Sequence, residues 1–179
     1  LPILSLVYNS TNTSNIVLEE ITKSGFISGQ RRPLGPKRCF DRVMSLSGTD
    51  ELFMTSIRCN STINSLTNRS QLHFKRISGA NSGNSAVVMR FYKVSTLADS
   101  SFTNFDSVDS IAAYSDTGTY TPNANDLTHV LNLGAQTNSL EDVEDFDLFL
   151  EPSEILVITA QGRFNGQVPQ ISLIWVEDI

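Results

Sequence analysis

Short runs of β-forming residues, separated by turn-forming clusters, recur along the chain, and no long window keeps the apolar spacing of a helix. The spacers are rich in Gly, Asn, Ser, Asp and Pro. This pattern favours an antiparallel sandwich, jelly roll or barrel over an α/β fold. We therefore predict an all-β, antiparallel, jelly-roll-like β-sandwich with few or no helices. The predicted strands are Ile3–Tyr8, Ile16–Thr22, Phe40–Leu46, Leu52–Ile57, Gln71–Ile77, Ala86–Val94, Val108–Tyr114, Leu127–Leu133, Phe146–Leu150, Ile155–Ala160 and Gln170–Val176.

The length of the chain fits one core. Its 179 residues suffice for one domain and are few for two, so we predict a single β-sandwich domain over residues 1–179. Apolar residues make up 40% of the chain, which excludes disorder throughout.

Charge and hydropathy exclude two classes of partner. The formal net charge is −6, whereas binding to a phosphate backbone needs clustered Lys and Arg, so we expect no nucleic acid. No apolar run approaches the roughly 18 to 20 residues that span a bilayer, so we expect no membrane insertion. Arg31, Arg32, Lys37 and Arg38 form a local basic stretch that prolines interrupt, which predicts a loop.

The last two predicted strands are apolar on both faces. They flank a Gly-containing loop, which predicts a long hairpin. A strand that is apolar on both faces is normally buried on both faces. A two-layer sandwich buries only the inner face of a strand, so we expect a second subunit to cover the outer face. The predicted interface of this homo-oligomer is Ile155, Val157, Ile174, Trp175 and Val176.

Three polar segments are predicted surface loops: Leu97–Ser107, Ser115–Asp126 and Gln30–Lys37. Loops at the ends of a sandwich usually carry recognition, although simple connection is an equal alternative. The candidate recognition residues are Arg31, Arg32, Tyr114, Tyr120 and Phe164.

Cys39 and Cys59 are equidistant from Thr49, so a hairpin turning there places them opposite each other. Directly opposite positions of an antiparallel pair accept disulfide geometry. A disulfide and two facing buried thiols both remain open at this point.

Two further patterns are short and weakly specific. Asn9, Asn12, Asn60 and Asn68 begin glycosylation acceptor triplets, which chance also produces in a chain this rich in Asn, Ser and Thr. The acidic segment Glu141–Asp147 offers oxygen ligands for calcium, but its spacing fits no EF-hand loop and a solvated turn is the alternative.

No catalytic motif is present in the sequence. His73 and His129 lie in separate strand-like runs and outside any metal motif, so we expect core or edge histidines. A nucleophile elbow, a Walker loop and a dinucleotide fingerprint are all missing. We expect no enzyme, no cofactor and no metal, while a hydrolase with a Ser, His and Asp arrangement stays the third hypothesis.

The carboxy-terminal third carries Leu150–Glu154 with its Pro-Ser-Glu turn, then Ile155–Ala160, a Gly-containing loop and Ile171–Glu177. This series resembles the end of β-sandwich domains in virion structural proteins of tailed bacteriophages, particularly capsid decoration proteins and tips of head or tail fibres. There a similar turn precedes a long apolar strand, and the last strand ends with an aromatic and an acidic residue. The match covers about a quarter of the chain. It implies a non-enzymatic particle component that often forms a trimer.

The first functional hypothesis is thus a virion protein, a capsid decoration or fibre component that binds a capsid or host surface. The alternative is a secreted, extracellular carbohydrate-binding or adhesion module with the same architecture, which would stack sugars on exposed aromatic rings.

Overall fold

The computed structural model describes residues 35–106, 110–143 and 148–177. Thirteen strands and one 3₁₀ turn, Ala124–Asp126, form in these ranges. The predictions that fall on residues 1–34, including two strands and the single domain over the whole chain, lie outside the described residues. The strands are β1 (Lys37–Val43), β2 (Glu51–Cys59), β3 (Thr62–Ile63), β4 (Leu66–Thr67), β5 (Leu72–Asn81), β6 (Val87–Val94), β7 (Thr103–Asn104), β8 (Ala112–Ser115), β9 (Leu127–Leu133), β10 (Thr137–Asp142), β11 (Phe149–Leu150), β12 (Ile155–Gly162) and β13 (Pro169–Glu177).

The strands form two main antiparallel sheets. Sheet A has the order β1-β13-β5-β10, with β11 also paired to β5, and sheet B has the order β7-β8-β2-β12-β6-β9. The short hairpin of β3 and β4 stands apart. The predicted antiparallel β-sandwich is thus confirmed.

The pairing is nested from the two ends of the described chain inward. β1 pairs with β13, β2 with β12, β5 with β10 and β6 with β9. Successive long strands lie in different sheets except for the innermost pair, β6 and β9, which both lie in sheet B. Eight strands wound in this way into two sheets form a double-sheet jelly roll.

The core lies between the inner faces of the two sheets. Sheet A contributes Phe74, Ile77 and Trp175, and sheet B contributes Phe91 and Ile158, all at most 2% exposed. These side chains belong to one continuous apolar cluster. Burying a side chain of this size stabilises the fold by about 1.5 to 3 kcal/mol.

A second apolar cluster lies on the outer face of sheet B. Ile155 and Val157 of β12, together with Tyr92 of β6, are buried there against Leu97 and Tyr120. Leu97 belongs to the connection from β6 to β7, and Tyr120 belongs to the connection from β8 to β9. The expectation that a second subunit covers this face of β12 is therefore wrong, because the protein's own connections cover it.

Both predicted local hairpins are also wrong. β12 lies in sheet B and β13 in sheet A, so the loop between them crosses from one sheet to the other. β1 and β2 are divided between the sheets in the same way. In a jelly roll each of these strands pairs with a partner far away in sequence.

The described residues contain no helix long and apolar enough to cross a membrane.

Candidate binding pocket

A pocket of about 570 Å³ opens at one end of sheet B. It lies where β2 ends, β12 begins and the connection from β6 to β7 passes over the outer face. One cation, two amides, several hydroxyls and three apolar side chains line it. The lining residues are Arg58, Asn60, Ser61, Thr62, Ser95, Thr96, Leu97, Ser100, Phe102, Asn104, Ser153 and Ile155.

Strand alternation places Arg58 in this pocket. Its neighbours on β2, Ile57 and Cys59, are fully buried in the main core, so Arg58 points to the outer face. Its cross-strand partner is Ile155 of the second apolar cluster. The guanidinium therefore rests beside apolar surface.

Two contacts hold the guanidinium in place. Arg58 Nε and Nη2 donate to Asn60 Oδ1 at 3.2 and 3.1 Å. The guanidinium carbon lies 4.1 Å from the centroid of the Phe102 ring, a cation–π arrangement. The pocket is therefore built around a fixed cation.

The charge of Arg58 has no carboxylate partner within the described ranges 35–106, 110–143 and 148–177. Burial lowers its pKa from the ordinary value, because the surroundings are poorer than water at solvating the charged form. An anionic ligand would supply the missing negative charge.

Hydroxyl groups form the rim of the pocket. Ser61, Thr62, Ser95, Thr96 and Ser153 are exposed, and their hydroxyls make no hydrogen bond to the described residues. Ser100, by contrast, donates to the carbonyl of Leu97 at 2.9 Å. The rim thus offers donors and acceptors to a hydroxylated ligand.

Asn60, which lines the pocket, and Asn68, which is hydrogen-bonded to it, are two of the predicted glycosylation acceptors. Asn60 Nδ2 donates to Asn104 Oδ1 at 3.0 Å, and Asn68 Nδ2 donates to the carbonyl of Asn60 at 2.7 Å. Both amides are buried and bonded within the fold. They are therefore inaccessible as acceptors in the folded chain, while Asn9 and Asn12 lie outside the described residues.

The Pro-Ser-Glu turn borders the pocket through Ser153. This residue has a φ of 76°, in the left-handed region that an L-residue with a side chain rarely adopts. Its amide donates to the carbonyl of Cys59 at 2.8 Å, which ties the turn to the end of β2. The strained turn thereby presents the Ser153 hydroxyl at the rim.

The predicted recognition residues do not come together. Tyr114 is half-buried, with its ring centroid 5.4 Å from those of Phe40 and Phe105. Tyr120 packs on Tyr92 with centroids 4.9 Å apart, whereas Phe164 is 60% exposed in the loop between β12 and β13.

The packing roles of Tyr114 and Tyr120 do not fit an exposed recognition surface. Arg31 and Arg32 lie outside the described residues.

The predicted interface residues divide into two sets. Ile155, Val157 and Trp175 are at most 4% exposed within a single chain and are therefore unavailable to a second subunit. Ile174 and Val176 are half-buried on the outer face of sheet A. Of the five predicted interface residues, only Ile174 and Val176 therefore stay candidates for contact with a second subunit.

The cysteines do not face each other. Cys39 is exposed and lies opposite Ile174, while Cys59 is buried and lies opposite Ala112 in the other sheet. Both thiols are free. The predicted pairing is wrong because its hairpin does not form.

The two histidines lie in different sheets. His129 Nε2 lies 2.8 Å from Glu141 Oε2, and its ring packs on Phe91. His73 stacks on Phe149. The described residues contain no group of three or more metal-ligating side chains, and residues 144–147 of the acidic segment lie outside the described ranges.

Neither a catalytic motif nor exposed aromatic rings indicated this pocket. The predicted surface loop Leu97–Ser107 does supply part of the lining, including Phe102. A second signal in the sequence was Arg58, the one charged residue from Leu52 to Asn68, but only the fold shows that this loop lies over it.

Comparison with protein-family models gave no match, and a search of curated proteins gave none either.

Proposed function

We propose that this chain is a non-enzymatic structural protein of a virus particle, an oligomeric capsid decoration or fibre component. The observation that carries the proposal is the nested pairing of the eight long strands, since double-sheet jelly rolls form viral capsid and lectin domains. One fold serves many functions, so the surface must support the choice.

The outer face of sheet A supports assembly. Leu140 of β10 and Val43 of β1 are 63% and 50% exposed there, and β13, which lies between these strands in the sheet order, adds the half-buried Ile174 and Val176 nearer one end of the sheet. We propose that these four apolar side chains make contact with another subunit. The proposed assembly is a homotrimer, as the resemblance to bacteriophage virion domains implies.

The test is a mass measurement of the full chain in solution by light scattering over a wide concentration range. A trimer has three times the subunit mass of 19.7 kDa. Leu140→Asp should weaken assembly, because it places a charge in the proposed interface. Leu66→Asp is the matched control, since Leu66 is 70% exposed in the separate β3–β4 hairpin.

A wild-type chain that stays monomeric at the highest concentration contradicts the proposal. Equal assembly of the Leu140→Asp variant and the wild type contradicts the choice of face.

Carbohydrate binding is a second candidate function, and the hydroxyl-lined pocket favours it. Lectin domains also use the jelly roll, so the fold accommodates this function. A glycan array probed with the full chain tests it, and a uniformly blank array counts against it. Extracellular location stays a prediction in this case.

A further inference from the structure

The Arg58 guanidinium is prepared for a planar anion. A guanidinium carries five N–H donors. Asn60 Oδ1 accepts from only two of them, the one on Nε and one of the two on Nη2. The edge formed by Nη1 and Nη2 therefore keeps N–H groups for a bidentate partner. Stacking on Phe102 fixes the plane in advance, which lowers the entropy cost of binding.

The pocket suits a ligand with a single negative charge. Among the described residues that line it, Arg58 is the only charged one. A nucleic acid or another polyanion would need several cations, whereas one guanidinium matches one carboxylate. In a chain of net charge −6, a cation that has no carboxylate partner among the described residues also marks this pocket as a local site for anions.

The remaining lining suits a hydroxylated ring. The hydroxyls of Ser61, Thr62 and Ser153 make no hydrogen bond within the described part of the chain, while Leu97 and Ile155 supply apolar surface. Sugars present both hydroxyls and C–H faces. The volume of about 570 Å³ falls within the range of small-molecule sites, roughly 300 to 1,000 Å³.

From these three observations we infer that the pocket binds a carboxylate-bearing sugar residue, with its carboxylate on the Nη1–Nη2 edge of Arg58 and its ring hydroxyls on the rim. The inference rests on the second candidate function, carbohydrate binding, and names the class of sugar. It is independent of assembly through sheet A.

The test is a calorimetric titration of the full chain with matched ligands. Methyl glucuronide and methyl glucoside differ only at C6, where a carboxylate replaces a hydroxymethyl group. The methyl glycoside of N-acetylneuraminic acid and its methyl ester differ only in whether the carboxylate is free or esterified. At least one acid should bind about tenfold or more tighter than its neutral counterpart, the ratio expected for a charge-assisted hydrogen bond. Sodium sulfate serves as the bare anion.

Variants assign the binding to the pocket. Arg58→Lys keeps the charge but loses the planar fork, so the acidic sugar should bind about tenfold more weakly. Arg163→Lys is the matched control, because Arg163 also lies over a ring, that of Phe164 at 5.8 Å, but on an exposed loop outside the pocket. It should leave binding unchanged.

Thr62→Val removes an exposed rim hydroxyl without touching Arg58. It should weaken the acidic sugar about two- to tenfold, the ratio expected for one neutral hydrogen bond, and leave sulfate binding unchanged. Because Thr62 is exposed, this variant keeps the test valid should Arg58→Lys fail to fold.

Each outcome decides a different claim. If sulfate binds as tightly as the acidic sugar and Thr62→Val has no effect, the claim that the pocket recognises a sugar is overturned and only an anion site remains. Equal binding of acid and neutral partner overturns the role of the carboxylate but retains carbohydrate binding. No binding of either acid overturns the inference, and a blank glycan array rejects the second candidate function with it.

Discussion

The indole Nε1 of Trp175 donates a hydrogen bond to Oε1 of Glu177, two residues further along β13, at 3.3 Å. The Ser110 hydroxyl donates to the same oxygen at 2.6 Å, and the amide of Ile111 donates to Oε2 at 3.2 Å. Arg38 Nε lies 3.8 Å away. This fully buried carboxylate thus joins the end of β13 in sheet A to the chain entering β8 in sheet B.

Replacing Glu177 by Ala should lower the free energy of unfolding by about 3 to 5 kcal/mol, because several buried donors lose their acceptor. Glu177→Gln should cost less, since its amide oxygen still accepts. Urea unfolding followed by fluorescence measures both. Glu151→Ala, at an exposed position, is the control and should change stability by under about 0.5 kcal/mol. Equal effects of the two alanine variants would contradict the buried role of Glu177.

Tyr120 should contribute far more to the free energy of unfolding than Phe164, although both are aromatic residues of polar segments. Tyr120→Ala uncovers Val157 and removes the contact with Tyr92, so we expect a loss of about 2 to 4 kcal/mol. Phe164→Ala removes a mostly exposed ring and should change stability by under about 0.5 kcal/mol. Thermal and urea unfolding measure both variants. A larger loss for Phe164→Ala would contradict the cover that Tyr120 provides.

Strand positions followed closely from local pattern. The alternation and turn signals predicted Leu127–Leu133, and β9 has those bounds. Ile155–Ala160 falls within β12. By contrast, β10 was not predicted, because Thr137–Asp142 is polar and pairs with β5 along the edge of sheet A, where burial is incomplete. Apolar pattern reports burial, so it finds a strand with buried side chains such as Leu131 and Leu133 of β9, although β9 also lies at a sheet edge, and it misses the polar β10.

Pairing partners did not follow from the sequence. Cys39 faces Ile174, which lies far along the chain, and no local pattern encodes that register. The two-sided apolar character of β12 was read correctly as coverage on both faces. Leu97 and Tyr120 cover the outer face of β12. They are isolated apolar residues in polar segments, so no periodic pattern in the sequence indicated this cover. The Arg58 pocket depends on the β6–β7 connection, which the sequence predicted as a surface loop without any signal that it lies over Arg58.

The two thiols should differ sharply in reactivity. Burial raises the pKa of Cys59 to about 12, and its Sγ lies 3.5 Å from Asn68 Nδ2, whereas Cys39 is exposed. The thiolate is the reactive form, so a disulfide reagent at pH 8 should label one thiol per native chain and two after denaturation. Cys39→Ser should abolish native labelling. Rapid labelling of two thiols in the native chain would contradict the burial of Cys59.

The hydroxyl of Tyr92 should make stability depend on pH in the alkaline range. It donates to Glu51 Oε1 at 2.8 Å, and burial followed by this hydrogen bond raises its pKa to about 12, above the ordinary 10.0. The native state therefore keeps a proton that the unfolded state releases. The stabilisation is complete below about pH 10 and is lost as the pH rises towards 12.

Tyr92→Phe should accordingly lower the unfolding free energy at pH 8 by about 1.5 to 3 kcal/mol, the usual contribution of a hydrogen bond to a charged group. Above pH 10, the difference in unfolding free energy between the variant and the wild type should then narrow by up to about 1.4 kcal/mol per pH unit, because the native wild type holds one proton more than its unfolded state. Urea unfolding at pH 8, 9, 10 and 11 measures it. Cys59 titrates in both proteins, so its contribution cancels. A gap that stays constant from pH 8 to 11 would show that the Tyr92 hydroxyl ionises normally and does not depend on Glu51.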